Sequence, residues 1–466
     1  MRHHPVLRDL EGAVCLIFGR GKLCRTFAMD NTATKLDRII TKAKQEPKTR
    51  FTFLKYLLDE EYLVQCFKSL EKGKAAGVDK RTVESYSDEE IKQEIRDVIE
   101  KMKLNKYKPQ PIRRVWIPKE NGEKRALGIP TVIDKVIQLA CGNIITAIWE
   151  PKFLPVSYGY RPGRDAHASL KEINHMIMGK QVNYILEADI KGFFDHVDHK
   201  WMRKCLEEHI KDPRLLNLIA QILKAEVMEE GKLTKTMEGT PQGGIISPIL
   251  ANVYLHYVLD LWFTVKERKQ MQRYTQLVRY ADDFVIGCQV KADAKGLMQD
   301  IAQRLAKFGL ELSLEKTRII EFGRFAKMNR AKRGEKRPDS FDFLGFTHYC
   351  DKIKDGRFAI KVRTSKKRMR KAQQTMNKYL NENRSVPLKE LWGMTKMKLM
   401  GHYQYYGVSG NFASLKIFYG KTRKMLFKWL NKRSQKQSFN WEQFVSFISR
   451  YPLPRPKLYY AFYNTW

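Results

Sequence analysis

Two adjacent carboxylates, Asp282 and Asp283, interrupt a stretch that otherwise reads as buried β-strand. Residues 276–287 read Gln-Leu-Val-Arg-Tyr-Ala-Asp-Asp-Phe-Val-Ile-Gly, with apolar side chains on both sides of the acid pair. This pattern predicts a β-hairpin whose strands are buried and whose tight turn carries both acids. Because Asp is also common in solvated turns, the pair alone leaves a purely structural role open.

A further acid, Asp189, ends a second apolar stretch. In residues 184–195 an apolar strand precedes Asp189, and a Gly, two Phe and another acid follow it. Two divalent metal ions a few Å apart must be bridged by carboxylates on rigid strands. Mg²⁺ prefers carboxylate and phosphate oxygens. The acids therefore predict a site for two Mg²⁺ ions that supports in-line phosphoryl transfer.

Five blocks of the sequence, in the same order, resemble those of the bacterial group II intron-encoded reverse transcriptase/maturases. The blocks are Arg161-Pro-Gly-Arg164, the Asp189 strand, Thr240-Pro-Gln-Gly-Gly-Ile-Ile-Ser-Pro248, Tyr280-Ala-Asp-Asp283 and Phe341-Asp-Phe-Leu-Gly-Phe346. The resemblance extends from about residue 72 to the C-terminus. Tyr-x-Asp-Asp is a weak signal by itself, whereas five blocks in register are specific.

The resemblance implies an α+β fold, a right-hand polymerase with fingers and an antiparallel palm sheet, followed by an α-helical thumb or maturase domain. It implies the following divisions: an N-terminal extension at 1–48, fingers at 49–179, palm at 180–350, thumb at 351–432 and a basic DNA-binding-like tail at 433–466. The first 28 residues match the family poorly, so we expect the native chain to start near Met29. The chain resembles members without the Cys/His-rich endonuclease domain.

The function implied is that of an RNA-directed DNA polymerase that also binds its intron RNA to assist splicing and mobility. In the family a primer 3′-OH attacks the α-phosphate of a dNTP. Asp189 and Asp282 would bind the metal ions, the carbonyl of Ile190 would complete the metal shell, and Asp283 would support the site.

A hairpin predicted at 113–130 resembles the fingers hairpin, with Asn121-Gly122 as its turn. The resemblance places Lys119 and Arg125 over the incoming triphosphate, where cations neutralise phosphate charge. A solvated hairpin is the alternative for both residues.

Three more residues match nucleotide contacts of the family. Phe194 corresponds to the aromatic that packs against the sugar and excludes a 2′-OH, although a plain core role is open for its neighbour Phe193. Gln242 and Gly243 correspond to the loop that forms the floor under the nucleotide.

The Arg161-Pro-Gly-Arg164 block resembles a segment that contacts RNA in the family. Arginine beside Tyr and Gly suits a template backbone, with stacking as a second contribution. We therefore expect Arg161 and Arg164 to bind RNA, against the alternative of a turn with exposed charges.

The formal charge is +36, which predicts a polyanionic partner, nucleic acid before membrane. Residues 351–466 carry 26 Lys and Arg against 5 Asp and Glu, hence +21. Basic or aromatic helices are predicted there at 365–382, 387–405 and 411–430. We expect this part to bind RNA, and a solvated basic surface is the alternative. The expected partners are intron RNA, an RNA template with a DNA primer, and dNTPs.

Local patterns give four further expectations. Residues 51–72 read as one helix, Asp195 caps a helix that begins near Val197, and Ser247 caps a helix whose first residue is Pro248. Residues 324–340 hold seven basic residues in seventeen with no hydrophobic period, and we expect a mobile insertion.

Seven scattered cysteines without a Cys-x-x-Cys pair argue against a disulfide framework or a zinc site and favour a reducing cytosol. No apolar run is expected to reach the length of a membrane span. The expected location is a cytoplasmic ribonucleoprotein that associates with the nucleoid during mobility.

Two other functions stay open at this stage. One is a mainly non-enzymatic splicing maturase, and the other is a group II-like reverse transcriptase recruited to host defence or repair. The sequence leaves the cognate RNA, the priming mode and the oligomeric state undetermined.

Overall fold

The structure, a computed structural model, describes residues 31–118, 124–229, 231–234, 239, 243–335, 337–353, 355–433 and 438–462. These residues form a mixed α+β fold, as the sequence predicts, and they contain three hydrophobic cores. The largest core contains buried side chains from Ala43 to Leu312. One core therefore spans the predicted fingers and palm.

The N-terminal part is helical. Its helices are α1 (Asn31–Gln45), α2 (Glu60–Ser69), α3 (Asp88–Lys103) and α4 (Val132–Trp149). A 3₁₀ turn at Leu54–Leu57 precedes α2, so the single helix predicted at 51–72 is wrong. The break is local, because Asp59 caps α2 by accepting a hydrogen bond from the Tyr62 amide.

Helix α4 is the central helix of the large core. By length and composition it could cross a membrane, which corrects the expectation that no apolar run is long enough. However, 78% of this stretch is buried inside the protein. Its apolar character is therefore explained by packing, since α1 and α2 lie against it.

A four-stranded sheet, here called the fingers sheet, joins β1 (Ile112–Pro118) and β2 (Lys124–Ile129) of the predicted fingers to β4 (Val227–Glu229) and β5 (Lys232–Thr234), which come from the residues predicted as palm. The order is β2-β1-β4-β5. Strands β1 and β2 are antiparallel from Arg113↔Ile129 to Pro118↔Lys124, which confirms the hairpin. Its predicted turn at Asn121-Gly122 lies outside the described residues.

The palm sheet is antiparallel, as predicted, with the order β6-β7-β3-β8. Its strands are β3 (Tyr184–Ala188), β6 (Thr275–Tyr280), β7 (Asp283–Cys288) and β8 (Arg318–Glu321). Helices α5 (Ala166–Gly179) and α9 (Lys291–Ala306) contact strands of this sheet. Strands β3 and β7 are its central pair, so the acids at their ends rest on its most rigid part.

Helices α6 (His199–Glu207), α7 (Pro213–Leu223) and α8 (Ser247–Leu255) complete the palm, and α8 continues through π-helical turns at His256–Asp260 and Trp262–Glu267 to Arg268–Gln270. The cap of α6 is Asp198, which accepts from the Trp201 amide, and not Asp195. Asp195 instead ends a 3₁₀ turn after Gly192. Ser247 is the first residue of α8 and not its cap.

Strands β9 (Phe341–Phe343), β10 (Phe346–Lys352) and β11 (Phe358–Thr364) form a second antiparallel sheet. Leu344 and Gly345 connect β9 to β10, with φ of 49° and 80°. The stretch before β9 contains helix α10 (Ala326–Lys332), so the expectation of a mobile insertion at 324–340 is wrong. Ala326 is buried and anchors this helix.

The C-terminal part is helical, with α11 (Lys366–Glu382), α12 (Leu388–Tyr406), α13 (Phe412–Leu430) and α14 (Trp441–Arg450). Helix α14 belongs to the predicted tail, yet Phe444 and Ile448 are buried in the same core as α11 to α13. The chain then returns to α5 beside the palm sheet, where the side-chain amide of Asn174 donates to the Phe462 carbonyl. The described part of the tail is therefore integral to the thumb.

Candidate active site

Strands β6 and β7 present the acid pair in a turn of only two residues. Tyr280 and Asp283 are the last paired positions, so Ala281 and Asp282 form the turn and Asp283 begins β7. Ala281 has a φ of 57°, a conformation that costs free energy for a residue with a side chain. A Cβ on Gly159 would lie 2.5 Å from the Ala281 nitrogen, so only glycine allows this backbone to approach the turn.

A fully buried arginine holds the turn in this conformation. The Arg279 guanidinium donates to both carboxylate oxygens of Asp260, at 2.7 and 2.5 Å. It also donates to the Ala281 carbonyl at 2.9 Å and to the Ser157 hydroxyl at 2.8 Å. The guanidinium that donates to the turn's backbone is thus fixed by a buried ion pair. Interactions inside the core therefore compensate the strain in the turn.

Strand pairing brings Asp189 to this turn. Ala188 is opposite Phe284 in the β3–β7 register, so Asp189 lies beside Asp283. Behind it, the Asp189 carbonyl accepts from the Ser313 amide at 2.8 Å. The structure therefore joins the three acids that the sequence predicted to converge.

The carboxyls perturb one another. The pKa of Asp283 is raised to about 8 by burial of the carboxyl, by the charges of Asp282 and Asp189, and by a hydrogen bond with Asp189. The residue as a whole keeps an exposed surface. For this reason we attribute the raised pKa of Asp283 mainly to the negative charges of Asp282 and Asp189 beside it. A cation at the site is needed before all three carboxyls can ionise.

Lys316 supplies a cation at the site. Its ammonium lies 2.5 Å from Asp189 Oδ2, and the hydrogen bond to Asp189 raises the pKa of Lys316, with further contributions from the charges of Asp189, Asp283 and Asp282. The sequence reasoning missed this residue. The sequence offered one indication of its role, its position two residues before the edge strand β8.

The donor set fits Mg²⁺. No group of three His, Cys, Asp or Glu side chains in the described part of the chain is arranged to hold a metal ion as it stands. Asp189, Asp282 and Asp283 offer carboxylate oxygens, and Asp189 is bonded to the Lys316 ammonium. A main-chain oxygen is also available: the amide of Lys191 pairs with Glu311, so the Ile190 carbonyl points away from that neighbouring strand. Carboxylate and carbonyl oxygens are ligands that Mg²⁺ accepts.

The predicted nucleotide contacts are described only in part. Lys119 and Gln242 lie outside the described residues. Arg125 pairs with Ile117 in the β1–β2 ladder, and its side chain is not described. Phe194 is half-buried against Phe193, with ring centroids 5.3 Å apart, and follows Asp189 closely in the chain.

Gly243 has a structural reason to be glycine. Its φ is 104°, and a Cβ would lie 2.6 Å from the Gly128 carbonyl oxygen of β2. The loop after residue 242 therefore touches the fingers sheet directly. Its predicted role in nucleotide binding stays a prediction.

The prediction that Arg161 contacts a template is wrong in this structure. Its side chain is 3% exposed and forms an ion pair with Glu150 at 2.7 Å. The guanidinium also donates to the carbonyls of Leu154 and Ser157, each at 2.8 Å. These bonds use its donors inside the protein. Arg164 is half-buried, and its role in RNA binding stays a prediction.

Arg279 and Asp260 were also missed from the sequence. A signal was present, because Arg279 is a charged residue within a strand predicted to be buried, three positions before the acid pair. Asp260 is likewise an acid within an apolar helix. Charged residues are buried only when paired, so two such exceptions in one domain indicate a buried ion pair.

Comparisons with known proteins agree with the geometry. Residues 117–348 match the reverse transcriptase (RNA-dependent DNA polymerase) family. The chain is 31% identical to the group II intron-encoded protein LtrA of Lactococcus lactis subsp. cremoris, over 84% of this chain and 76% of that protein. It is 32% identical to protein YkfC of Escherichia coli (strain K12), over 50% of this chain and 70% of that protein. Nuclear intron maturase 4 of Arabidopsis thaliana is 31% identical over 28% of this chain and 16% of that protein.

Proposed function

The chain belongs to the group II intron-encoded reverse transcriptase/maturases, and we propose that it is an active RNA-directed DNA polymerase that also binds intron RNA to assist splicing. The observation that carries the polymerase proposal is the contact of Asp189 with Asp283 beside the turn that holds Asp282. A scaffold without catalytic function has no reason to crowd three acids at one exposed strand end. Neither a purely non-enzymatic maturase nor a defence or repair enzyme is favoured by the relatives.

Asp189, Asp282 and the Ile190 carbonyl would hold Mg²⁺, and Asp283 would support them. Bound Mg²⁺ supplies charge neutralisation and a lower pKa for the attacking hydroxyl. The protein's part is positional: the rigid β3–β7 pair fixes the carboxyls, and Arg279 fixes the turn. The primer 3′-OH then meets the α-phosphate of a dNTP in line.

The remaining nucleotide contacts extend the proposal. Lys119 and Arg125 would neutralise the triphosphate, and Gln242 and Gly243 would lie under the base and sugar. Phe194 would meet the sugar, and a ring fixed against Phe193 excludes a 2′-OH by contact.

The thumb would bind RNA. Helix α11 begins with exposed Lys366, Lys367 and Arg370, while Met376 and Leu380 face the thumb core. One face of this helix is therefore basic and exposed, and it would contact phosphates. We expect the complex to be a cytoplasmic ribonucleoprotein that meets the nucleoid during mobility.

The polymerase proposal is tested by primer extension. The purified chain with a DNA primer annealed to an RNA template, dNTPs and Mg²⁺ should give full-length DNA, and chelation should abolish it. RNA binding without any extension under these conditions would contradict the proposal.

The splicing role is tested separately, with the Asp282→Asn variant. A precursor RNA that contains the intron around the reading frame should splice at low Mg²⁺ with this variant as well as with the wild type. Loss of splicing together with polymerisation, in a folded variant, would contradict a separate binding function.

A further inference from the structure

Helix α10 presents a basic and apolar face to solvent. Four exposed residues of the helix, Lys327, Met328, Ala331 and Lys332, recur at intervals of three or four and therefore lie on one side of it. Arg324 and Phe325 lie in the turn that precedes the helix and are also exposed. Phe325 adjoins this face and is 47% exposed, and Met328 is 50% exposed. We refer to Arg324, Phe325, Lys327, Met328 and Lys332 as the α10 face.

Ion pairs behind the face give it a fixed shape. Arg330 forms ion pairs with Asp339 at 2.6 Å and with Glu335 at 2.7 Å. Arg333 pairs with Glu335 at 2.8 Å and also with Glu321, the last residue of β8. The acids of this segment are therefore engaged by Arg330 and Arg333. Asp351, which interacts with the charge of Lys327, is already paired with Lys361 at 2.8 Å, so the α10 face keeps a net positive charge.

The face is remote from the catalytic acids. In the palm sheet Glu321 is opposite Tyr184, the first residue of β3, whereas Asp189 follows the last. Five residues of extended strand separate the two ends by about 16 Å. Asn329 of α10 and Arg333, which follows it, both bond to Glu321, so helix α10 lies at the Tyr184 end of the sheet. A ligand on the α10 face would therefore not occupy the polymerase site.

Cations beside an exposed aromatic ring suit RNA with unpaired bases. Lys and Arg neutralise phosphates, and a ring stacks on a base of any identity. A protein partner would need acids to match Arg324, Lys327 and Lys332, whereas RNA supplies a phosphate at every nucleotide. A duplex would leave Phe325 unused, because its bases are already stacked.

We propose that the α10 face is a second RNA site, outside the polymerase cleft, that binds a stem-loop: Arg324, Lys327 and Lys332 contact phosphates and Phe325 stacks on an unpaired base. This inference rests on the proposed function only in that it assumes an RNA partner. Its consequence is that the protein holds a structured RNA while the cleft is occupied by template and primer.

The test measures binding of a fluorescein-labelled RNA stem-loop with the cleft already filled by an unlabelled DNA primer–RNA template duplex. The triple variant Arg324→Gln/Lys327→Gln/Lys332→Gln should weaken binding about tenfold, and the slope of log affinity against log salt should fall by about two to three. Its rate of primer extension should be unchanged. Unaltered stem-loop binding would overturn the proposal, and so would a loss of primer extension.

A matched control separates a site from diffuse charge. Lys101→Gln/Lys106→Gln/Lys108→Gln removes the same charge from the exposed end of α3 and beyond. It should change stem-loop affinity by about twofold or less, as expected for a distant, screened charge. Equal weakening by both triple variants would overturn the proposal.

The partner is identified by cross-linking. A photo-reactive p-benzoylphenylalanine introduced at the exposed position 325 should cross-link to the stem-loop with the cleft filled. Cross-links to a second copy of the chain in place of RNA would overturn the assignment. Primer extension by the same preparation reports the cleft independently, so a failed polymerase proposal and a failed α10 site are distinguishable.

Discussion

Arg279 and Asp260 form a fully buried, bidentate ion pair, and the same guanidinium donates to the carbonyl of Ala281 in the turn that carries Asp282. The pair thus connects the interior of the palm with the catalytic turn. Removing one partner of such a pair leaves a buried charge uncompensated, whereas removing both removes that penalty. Single and double variants of this pair therefore separate the contribution of Arg279 to stability from its contribution to positioning the turn.

We expect Arg279→Met to destabilise the protein by about 3–5 kcal/mol, because Asp260 is left buried and unpaired. The double variant Arg279→Met/Asp260→Leu should regain most of that stability. Its kcat for primer extension should still be about 100-fold low, because the turn carbonyl has lost its donor and small misplacements at a reacting centre are costly. Its KM for dNTP should change little. Thermal unfolding and steady-state extension measure these effects, and a double variant with normal kcat would show that the arginine is only a packing element.

Lys316 competes with metal for Asp189 in this account. We expect Lys316→Ala to lower the Mg²⁺ concentration for half-maximal extension by about fivefold, the equivalent of an exposed ion pair of about 1 kcal/mol. Lys316→Arg, which keeps the charge, should behave like the wild type. A Mg²⁺ titration of extension rates checks this. An unchanged or increased Mg²⁺ requirement in the alanine variant would refute the competition.

Phe194 should select against ribonucleotides. Phe194→Ala should raise incorporation of an NTP relative to the matching dNTP by roughly 10- to 100-fold, since the contact that rejects the 2′-OH is removed. Phe193→Leu is the matched control, because Phe193 is buried and its substitution affects packing. Single-nucleotide incorporation assays measure the ratio. Equal ratios in wild type and Phe194→Ala would assign Phe194 to the core alone.

Arg161 and Arg164 should differ although they are three residues apart. Arg161→Met should lower the free energy of unfolding by about 3 kcal/mol, because Glu150 loses its partner and several carbonyls lose their donor. Its affinity for RNA at low temperature should be normal. Arg164→Gln should weaken RNA binding with little change in thermal unfolding. The reverse pattern would restore the original expectation for Arg161.

Much of the fold followed from local patterns. The apolar residues on both sides of Asp282 and Asp283 predicted the hairpin, and the apolar residues before Asp189 predicted a third strand. Both predictions were possible because strand burial and turn chemistry are encoded over short stretches. The pairing of β3 with β7 is long-range, and here only the order of five motif blocks made it predictable.

The errors share a physical cause. Arg161 and Arg279 are chemically alike in the sequence, and whether an arginine meets RNA or a buried acid depends on a partner elsewhere in the chain. Residues 324–340 show no hydrophobic period, yet Arg330 and Arg333 order them through ion pairs with distant Glu321 and nearby Glu335. Asp195 was predicted to cap α6, but it ends the 3₁₀ turn after Gly192, and the helix begins only after Asp198.

The central claim is that Asp189, Asp282 and Asp283 form the metal site of a polymerase. The most direct measurement is primer extension on an RNA template by Asp282→Asn, with RNA affinity and thermal unfolding measured on the same preparation. We predict that extension is abolished while RNA affinity and folding are retained. Continued extension by a folded Asp282→Asn protein would contradict the claim.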